Sequence, residues 1–205
     1  SALELGGLAD WSLENPALLL GADPYLDPDL VPKTSEGAVC GMLALDSGSY
    51  RLETYATENE AWEAGASITH GGACGACSSL VDLSVYVSVS DLTTPVRSCA
   101  LTNFGAGAEA NIACLREVGF TEACAEIWHY NTVHTQAQCL DVCLSALDAP
   151  YHSSEGELNE CILCDEEQSG PVFKAVSGRT RRNSGLATAL CRPCDTVWRI
   201  EHSYR

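Results

Sequence analysis

Two cysteines in the sequence Cys-Gly-Ala-Cys form the motif of this chain that is best suited to chemistry. Cys74 and Cys77 follow the glycine pair 71–72 and precede an apolar run that begins at Leu80, so we expect them at the start of a helix. Backbone amides and the helix dipole at such a position lower the pKa of a thiol. The motif is therefore interpreted as structural disulfide cysteines, as a redox-active dithiol, or as metal ligands together with His70.

In these four residues the segment resembles the CGxC motif of thioredoxin-like oxidoreductases. The resemblance implies thiol–disulfide exchange, in which one of Cys74 and Cys77 attacks a disulfide and the other resolves the mixed disulfide. It does not extend beyond the motif, because no aromatic residue precedes Cys74 and Pro95 follows too soon for the cis-proline loop of that family.

Two further CxxC pairs lie near the C-terminus, and their spacing is typical of a zinc ribbon. The four candidate ligands are Cys161, Cys164, Cys191 and Cys194. An aspartate follows each pair, at the position where zinc knuckles commonly have glycine for a tight N–H···S turn. We therefore expect disulfides between the two pairs and no cofactor, and keep zinc or an iron–sulfur cluster as the alternative.

The complete cysteine inventory predicts an oxidising compartment. The chain has twelve cysteines: Cys40, Cys74, Cys77, Cys99, Cys114, Cys124, Cys139, Cys143, Cys161, Cys164, Cys191 and Cys194. Reducing compartments rarely tolerate so many thiols, so we predict six disulfides and a secreted protein or one of an oxidising organelle lumen, a plastid lumen being one such compartment. Because the chain opens at Ser1 without Met, we expect a mature form whose targeting segment has been removed.

Two helices are predicted in the middle of the chain. The first covers residues 109–118 and ends at Gly119, which suits a left-handed C-cap. The second covers residues 121–147 and places Cys139 and Cys143 one turn apart on the same face. We therefore expect Cys139 and Cys143 to form two disulfides from the same stripe of this helix.

The distribution of charge excludes nucleic acid as a partner and singles out the C-terminal segment. The net charge is −17, but residues 171–205 carry seven bases against two acids. The basic cluster consists of Lys174, Arg179, Arg181 and Arg182. Arginine forks bind carboxylates and phosphates, so the cluster predicts an anion- or partner-binding site. The alternative is that the acidic run 165–167 pairs with it.

These observations combine into one α+β domain that is mostly helical and rich in disulfides. Residues 1–39 contain four prolines among apolar side chains, which predicts an extended docking arm. Residues 40–150 form the helical cysteine-rich core with a small hairpin whose turn lies at 46–49, and residues 151–205 form a loop-rich CxxC and arginine-rich segment packed on it.

No catalytic constellation accompanies these motifs, so the expected function is structural. We predict a non-catalytic interaction subunit that docks on a larger protein assembly through its arm and its arginine-rich loop. The periphery of a membrane complex is one such location, although no apolar run is long enough to span a membrane. The alternatives are a thiol–disulfide oxidoreductase that uses Cys74 and Cys77, and a metal protein that uses the two C-terminal CxxC pairs.

Overall fold

The computed structural model of the chain describes residues 10–45 and 48–204. Residues 1–9 of the predicted arm and Asp46-Ser47 of the predicted hairpin turn lie outside these ranges. The described residues form eight α-helices and a four-stranded sheet. The predicted α+β class with a helical majority is confirmed.

The sheet lies at the N-terminal end of the fold. Its strands are β1 (Ser12–Leu13), β2 (Val39–Ala44), β3 (Ser49–Tyr55) and β4 (Ser67–Gly71), in the spatial order β1-β3-β2-β4. β2 and β3 form the predicted antiparallel hairpin, β4 pairs with the other edge of β2, and β1 runs parallel to β3. A register shift between Cys40 and Gly41 interrupts the β2–β4 ladder. Glycine is required there because a Cβ on Gly41 would lie 2.8 Å from the Tyr55 ring.

Eight helices are formed by the described residues, and five of them begin at a short polar side chain that caps the helix. They are α1 (Glu58–Glu63), α2 (Leu80–Ser88), α3 (Thr93–Thr102), α4 (Ala108–Glu117), α5 (Glu122–Ser145), α6 (Glu160–Gln168), α7 (Gly170–Ser177) and α8 (Arg181–Ser184). Thr57, Ser79, Thr121 and Asn159 each accept a hydrogen bond from the backbone N–H three residues later. The two helices predicted in the middle of the chain are confirmed as α4 and α5.

α2 joins the two parts of the hydrophobic core. Leu80 and Leu83 on one face pack with Met42 of the sheet. Val85 and Tyr86 on the other face pack into a larger cluster among the helices. Because α2 buries both faces, its apolar residues do not show the narrow stripe of a surface helix.

The described part of the arm, residues 10–39, folds back onto the body of the same chain. Pro24 is fully buried, and the Tyr25 hydroxyl lies 2.8 Å from Asn131 Oδ1 and 2.9 Å from the Ser169 carbonyl oxygen. The Tyr25 ring stacks on His134 with centroids 4.2 Å apart. The arm is therefore attached by specific polar and aromatic contacts, although several of its leucines remain exposed.

Five disulfides connect these elements. The bonded pairs are Cys40–Cys74, Cys77–Cys124, Cys99–Cys114, Cys139–Cys164 and Cys143–Cys161. The two bridges predicted to leave one stripe of α5 are confirmed, and both end on α6. The prediction of bridges between the two C-terminal CxxC pairs is wrong, because α6 lies against α5 and presents both of its cysteines to it. Cys191 and Cys194 carry free thiols, so the sixth predicted disulfide is not formed.

Two glycines allow the loop before α2 to pack directly on the backbone after α7. A Cβ on Gly75 would lie 2.4 Å from the Val176 carbonyl oxygen and 2.7 Å from the Gly178 nitrogen. At this contact the amides of Ala76 and Cys77 donate hydrogen bonds to the carbonyls of Val176 and Ser177 at 2.9 and 2.8 Å. No side chain fits between the two segments.

We expect Gly75→Ala to destabilise the protein by about 1–3 kcal/mol or more, because the added methyl group forces two backbones apart. The measurement is the free energy of unfolding in denaturant with the disulfides intact. Gly170→Ala is the matched control, since its Cβ would find no atom closer than 3.8 Å. Equal stability of the two variants would contradict the close contact.

Candidate functional site

The structure separates the two cysteines of the predicted redox dithiol. Cys74 is bonded to Cys40, whereas Cys77 is fully buried and bonded to Cys124. A dithiol enzyme needs both sulfurs in one reversible pair, one of them accessible to the substrate. The oxidoreductase alternative at Cys74 and Cys77 is therefore corrected. The motif links the loop before α2 to strand β2 through Cys74 and to helix α5 through Cys77.

The predicted four-cysteine metal site is also absent from the described residues. Cys161 and Cys164 are bonded to cysteines of α5, which leaves only the thiols of Cys191 and Cys194. Across residues 10–45 and 48–204, no group of three or more His, Cys, Asp or Glu side chains is arranged to hold a metal ion. His70, the remaining candidate ligand, makes other bonds.

Arg179 of the predicted basic cluster is fully buried, and it makes structural bonds. Its Nε donates to the Cys77 carbonyl at 3.1 Å, Nη1 to the Thr69 carbonyl at 3.0 Å, and Nη2 to the Ser78 carbonyl at 3.0 Å. Burial lowers the pKa of this guanidinium from its ordinary value. With its donors committed to backbone oxygens, Arg179 is not available to an external anion, which corrects its assignment to the binding cluster.

His70 and Ser78 form a buried pair that has the geometry of a base and a nucleophile. His70 Nε2 lies 2.7 Å from Ser78 Oγ, and His70 Nδ1 lies 3.0 Å from the Gly71 carbonyl oxygen. Because a carbonyl only accepts, Nδ1 carries the proton and Nε2 accepts from the serine. Both residues are fully buried, and Ser78 Oγ also accepts the Gly75 N–H at 2.8 Å. With no access for a substrate, the pair is structural, and burial lowers the pKa of His70 well below its ordinary value.

Asp82 is a second buried charge in the same region. Its carboxylate accepts hydrogen bonds from Ser79 Oγ at 2.6 Å, and from the Thr121 backbone N–H and hydroxyl at 2.8 and 3.0 Å. Burial raises the pKa of Asp82, and these bonds act against the rise. The carboxylate thereby connects the first turn of α2 to the N-cap of α5.

A further candidate site is a cavity of about 890 Å³ between the helices and the C-terminal segment. One side is formed by α3, α5, α6 and α7, and the other by residues 186–198, which we name the C-terminal strap. Lys174, Arg181 and Arg182 line this cavity. The structure thus brings three of the four predicted binding residues to one site and places Arg179 elsewhere.

Two residues that line the cavity each have a buried polar atom without a hydrogen-bond partner among the described residues, the Tyr86 hydroxyl and Trp128 Nε1. Burial raises the pKa of Tyr86, so its hydroxyl keeps its proton and can donate. The nearby Trp128 side chain partly opposes this rise, although the two groups do not meet hydrogen-bond geometry. Phe173, also on the cavity wall, packs on Trp128 with ring centroids 4.5 Å apart.

The cationic side chains at the cavity differ in how far they are neutralised. Arg181 donates to the Tyr86, Val89 and Ala187 carbonyls, and its guanidinium carbon lies 5.5 Å from the centre of the Tyr86 ring. Arg182 and Arg192 form ion pairs with the same carboxylate, that of Glu166. Lys174 is exposed, and the described residues supply it with no ion pair. The alternative that the acidic run pairs with the basic cluster thus applies to Arg182.

An apolar rim surrounds the open side of the cavity. Five of its lining side chains are exposed leucine or phenylalanine residues of α3, α5 and the adjoining loops: Leu101, Phe104, Leu140, Leu144 and Leu147. Grouped exposed side chains of this kind mark binding surfaces more often than scattered ones do.

Sequence reasoning missed the central part of this cavity. Tyr86 lies in the apolar run that begins at Leu80, but nothing local distinguishes a tyrosine whose hydroxyl is bonded from one whose hydroxyl is not. The same holds for Trp128. A signal was present in the leucines of the second half of α5, because exposed apolar residues on a long helix indicate an incompletely covered face.

Comparison with known proteins gives one match. Residues 108–200 match a family of unknown function (DUF8771), a segment that runs from the start of α4 through the C-terminal strap. The match covers less than half of the chain. Neither the curated proteins nor the solved structures contain a significant match. None of the helices in the described ranges has the length and hydrophobicity to cross a membrane.

We expect Arg179→Met to lower the free energy of unfolding by about 3 kcal/mol or more, because three buried carbonyl oxygens lose their donor. Denaturant unfolding of the oxidised protein measures the change. Arg51→Ala is the control, since Arg51 forms an exposed ion pair with Glu53 and its loss costs less than about 1 kcal/mol. A loss at Arg179 no larger than that of the control would contradict the assigned role.

Proposed function

We propose that this protein is a non-catalytic binding protein that holds a small amphipathic molecule in the cavity between its helices and its C-terminal strap. The observation that carries the proposal is a pair of buried donors without partners in the described structure, the Tyr86 hydroxyl and Trp128 Nε1, in two residues that line a mostly apolar cavity. A buried donor without a partner costs about 1–3 kcal/mol, which a ligand acceptor would recover.

The chemistry of the cavity selects the class of ligand. A volume of about 890 Å³ lies within the range of small-molecule sites, which combine apolar walls with a few polar groups that fix orientation. The unpartnered groups of Tyr86 and Trp128 both donate, so the ligand presents an acceptor oxygen to them. Its remaining atoms are apolar, because they contact side chains such as Phe173, Leu140 and Leu144.

The disulfides support the oxidising compartment that the sequence predicts. Five bridges among ten cysteines are consistent with an oxidising environment. We propose that this environment is extracellular or an organelle lumen. A carrier that works there gains from disulfides between helices on one side of the site, because that side then keeps its shape without a ligand.

The test is a titration of the purified protein with decanol and with decanoate, followed by calorimetry. We expect saturable binding of both probes with one molecule per chain. Tyr86→Phe removes one donor while keeping the ring, so it should weaken binding about 5–30-fold, equivalent to about 1–2 kcal/mol. Ala100→Phe, which places a ring in the cavity, should abolish binding.

Tyr50→Phe is the matched control for the loss of a tyrosine hydroxyl. Tyr50 is buried like Tyr86, but its hydroxyl accepts the Leu80 N–H and it does not line the cavity. This variant should bind both probes as the parent does. Absence of binding in the parent, or equal binding by the Ala100→Phe variant, would refute the proposal.

A second candidate function is docking on a larger protein assembly through the arm. The observation that favours it is the exposure of Leu18 and Leu26, at 87% and 83%, on a segment whose neighbouring residues are firmly attached to the body. Leu19 is exposed beside them. An ordered arm that presents leucines to solvent is a preformed contact surface, and the periphery of a membrane complex is one place where it would be covered.

The docking function predicts that substituting glutamine for Leu18, Leu19 and Leu26 together releases the protein from its assembly. Because these side chains are exposed, the variant should unfold at the same denaturant concentration as the parent. Size-exclusion chromatography of native extracts should move it from a large complex to the position of a 21.8 kDa chain. If the parent itself elutes at that position, the docking function is refuted.

A further inference from the structure

Two of the twelve cysteines differ from the rest in both bonding and exposure. Cys191 and Cys194 carry free thiols and are exposed. Each of the five disulfides, by contrast, contains at least one buried cysteine: Cys40, Cys77, Cys99, Cys139 or Cys161. Thiol–disulfide exchange needs in-line access to a sulfur atom. None of the ten bonded cysteines is exposed, whereas both free thiols are, so the free pair is the most accessible to an external disulfide.

The surroundings of Cys191 leave its sulfur open to an incoming molecule. Cys191 Sγ lies beside Gly156, which has no side chain to cover it, and a Cβ built there would lie 3.2 Å from the sulfur. The next residue, Arg192, is fixed by its ion pair with Glu166 and by a 3.2 Å hydrogen bond to the Cys191 carbonyl oxygen. The strap is thus anchored next to Cys191 while the thiol itself stays exposed.

The spacing of the pair makes a bond between them reversible. Only Arg192 and Pro193 separate Cys191 from Cys194, whereas the five disulfides join residues 15 to 47 positions apart. A disulfide stabilises a fold mainly by shortening loops in the unfolded chain, so a bridge across two residues adds little. Making or breaking such a bridge therefore changes the redox state of the strap and leaves the fold in place.

We propose that Cys191 and Cys194 form a redox site that exchanges with a disulfide of low molecular weight. One thiolate attacks a sulfur of the external disulfide, whose S–S bond breaks and releases the first thiol. The second cysteine then attacks the mixed disulfide, closes the Cys191–Cys194 bond and releases the second thiol. The protein dithiol is oxidised by two electrons, and the external disulfide is reduced to two thiols that carry away the two protons.

The site lies within the C-terminal strap, outside the set of residues that line the cavity. It does not depend on the proposed ligand, and its activity is measured without one. It also differs from the oxidoreductase alternative that the sequence suggested, because Cys74 and Cys77 are bonded to Cys40 and Cys124 and do not form a pair.

The test equilibrates the native protein with glutathione buffers that range from fully reduced to fully oxidised, then quenches with acid and alkylates. Intact mass should show two tagged thiols at the reduced end and none at the oxidised end, with the mass lower by two hydrogens. Peptide mapping should place both changes on the segment 191–194. The remaining ten cysteines should stay untagged throughout and serve as an internal control.

Single variants separate the two chemical steps. Cys194→Ser and Cys191→Ser should each retain one glutathione as a mixed disulfide, because the resolving thiol is missing, while the parent retains none. Three results would overturn the proposal: two tagged thiols in the parent at every ratio, a parent that stops at the mixed disulfide, or loss of tags through a disulfide-bonded dimer. Denaturant unfolding of the parent in both redox states should give the same midpoint.

Discussion

The fold depends on the buried guanidinium of Arg179, which donates hydrogen bonds to three backbone carbonyls that water does not reach. Arg179 contacts the end of the sheet through Thr69 and the loop before α2 through Cys77 and Ser78. These carbonyls face the interior, where an unbonded oxygen is costly and where a neutral amide side chain could satisfy two of them at most. A planar cation with several donors satisfies all three, which is why the sheet and the helices can share one interior.

The constraint also accounts for neighbouring features that are unusual on their own. The loop that Arg179 binds is held between Cys40 and Cys124 by two disulfides, and Gly75 lets it lie against the backbone after α7. Asp82 adds a buried negative charge that raises the pKa of Arg179, although burial dominates and lowers it. Packing, covalent bonds and charge thus converge on the same short segment.

The elements with local signals could be predicted from the sequence, and the arrangements that depend on distant partners could not. α4 and α5 followed from Gly119, Thr121 and their apolar spacing, and the stripe of Cys139 and Cys143 followed from helical geometry. The disulfide partners of those cysteines could not be predicted, because a CxxC pair has the same sequence whether it binds zinc, forms its own disulfide or bonds to cysteines of another helix. Arg179 likewise looked like part of a surface cluster, because its burial is set by residues about 100 positions away.

The covalent framework has a consequence for how the cavity responds to molecules of different size. α5 and α6 are fastened to each other twice, and α3 is fastened to α4, whereas residues 186–198 have no covalent tie in the described structure. The strap is therefore held by the backbone and by noncovalent contacts alone. Under the proposed binding function, the bridged helices would set which ligand shapes are accepted and the strap would set the rates of entry and departure, so selectivity and kinetics could evolve separately.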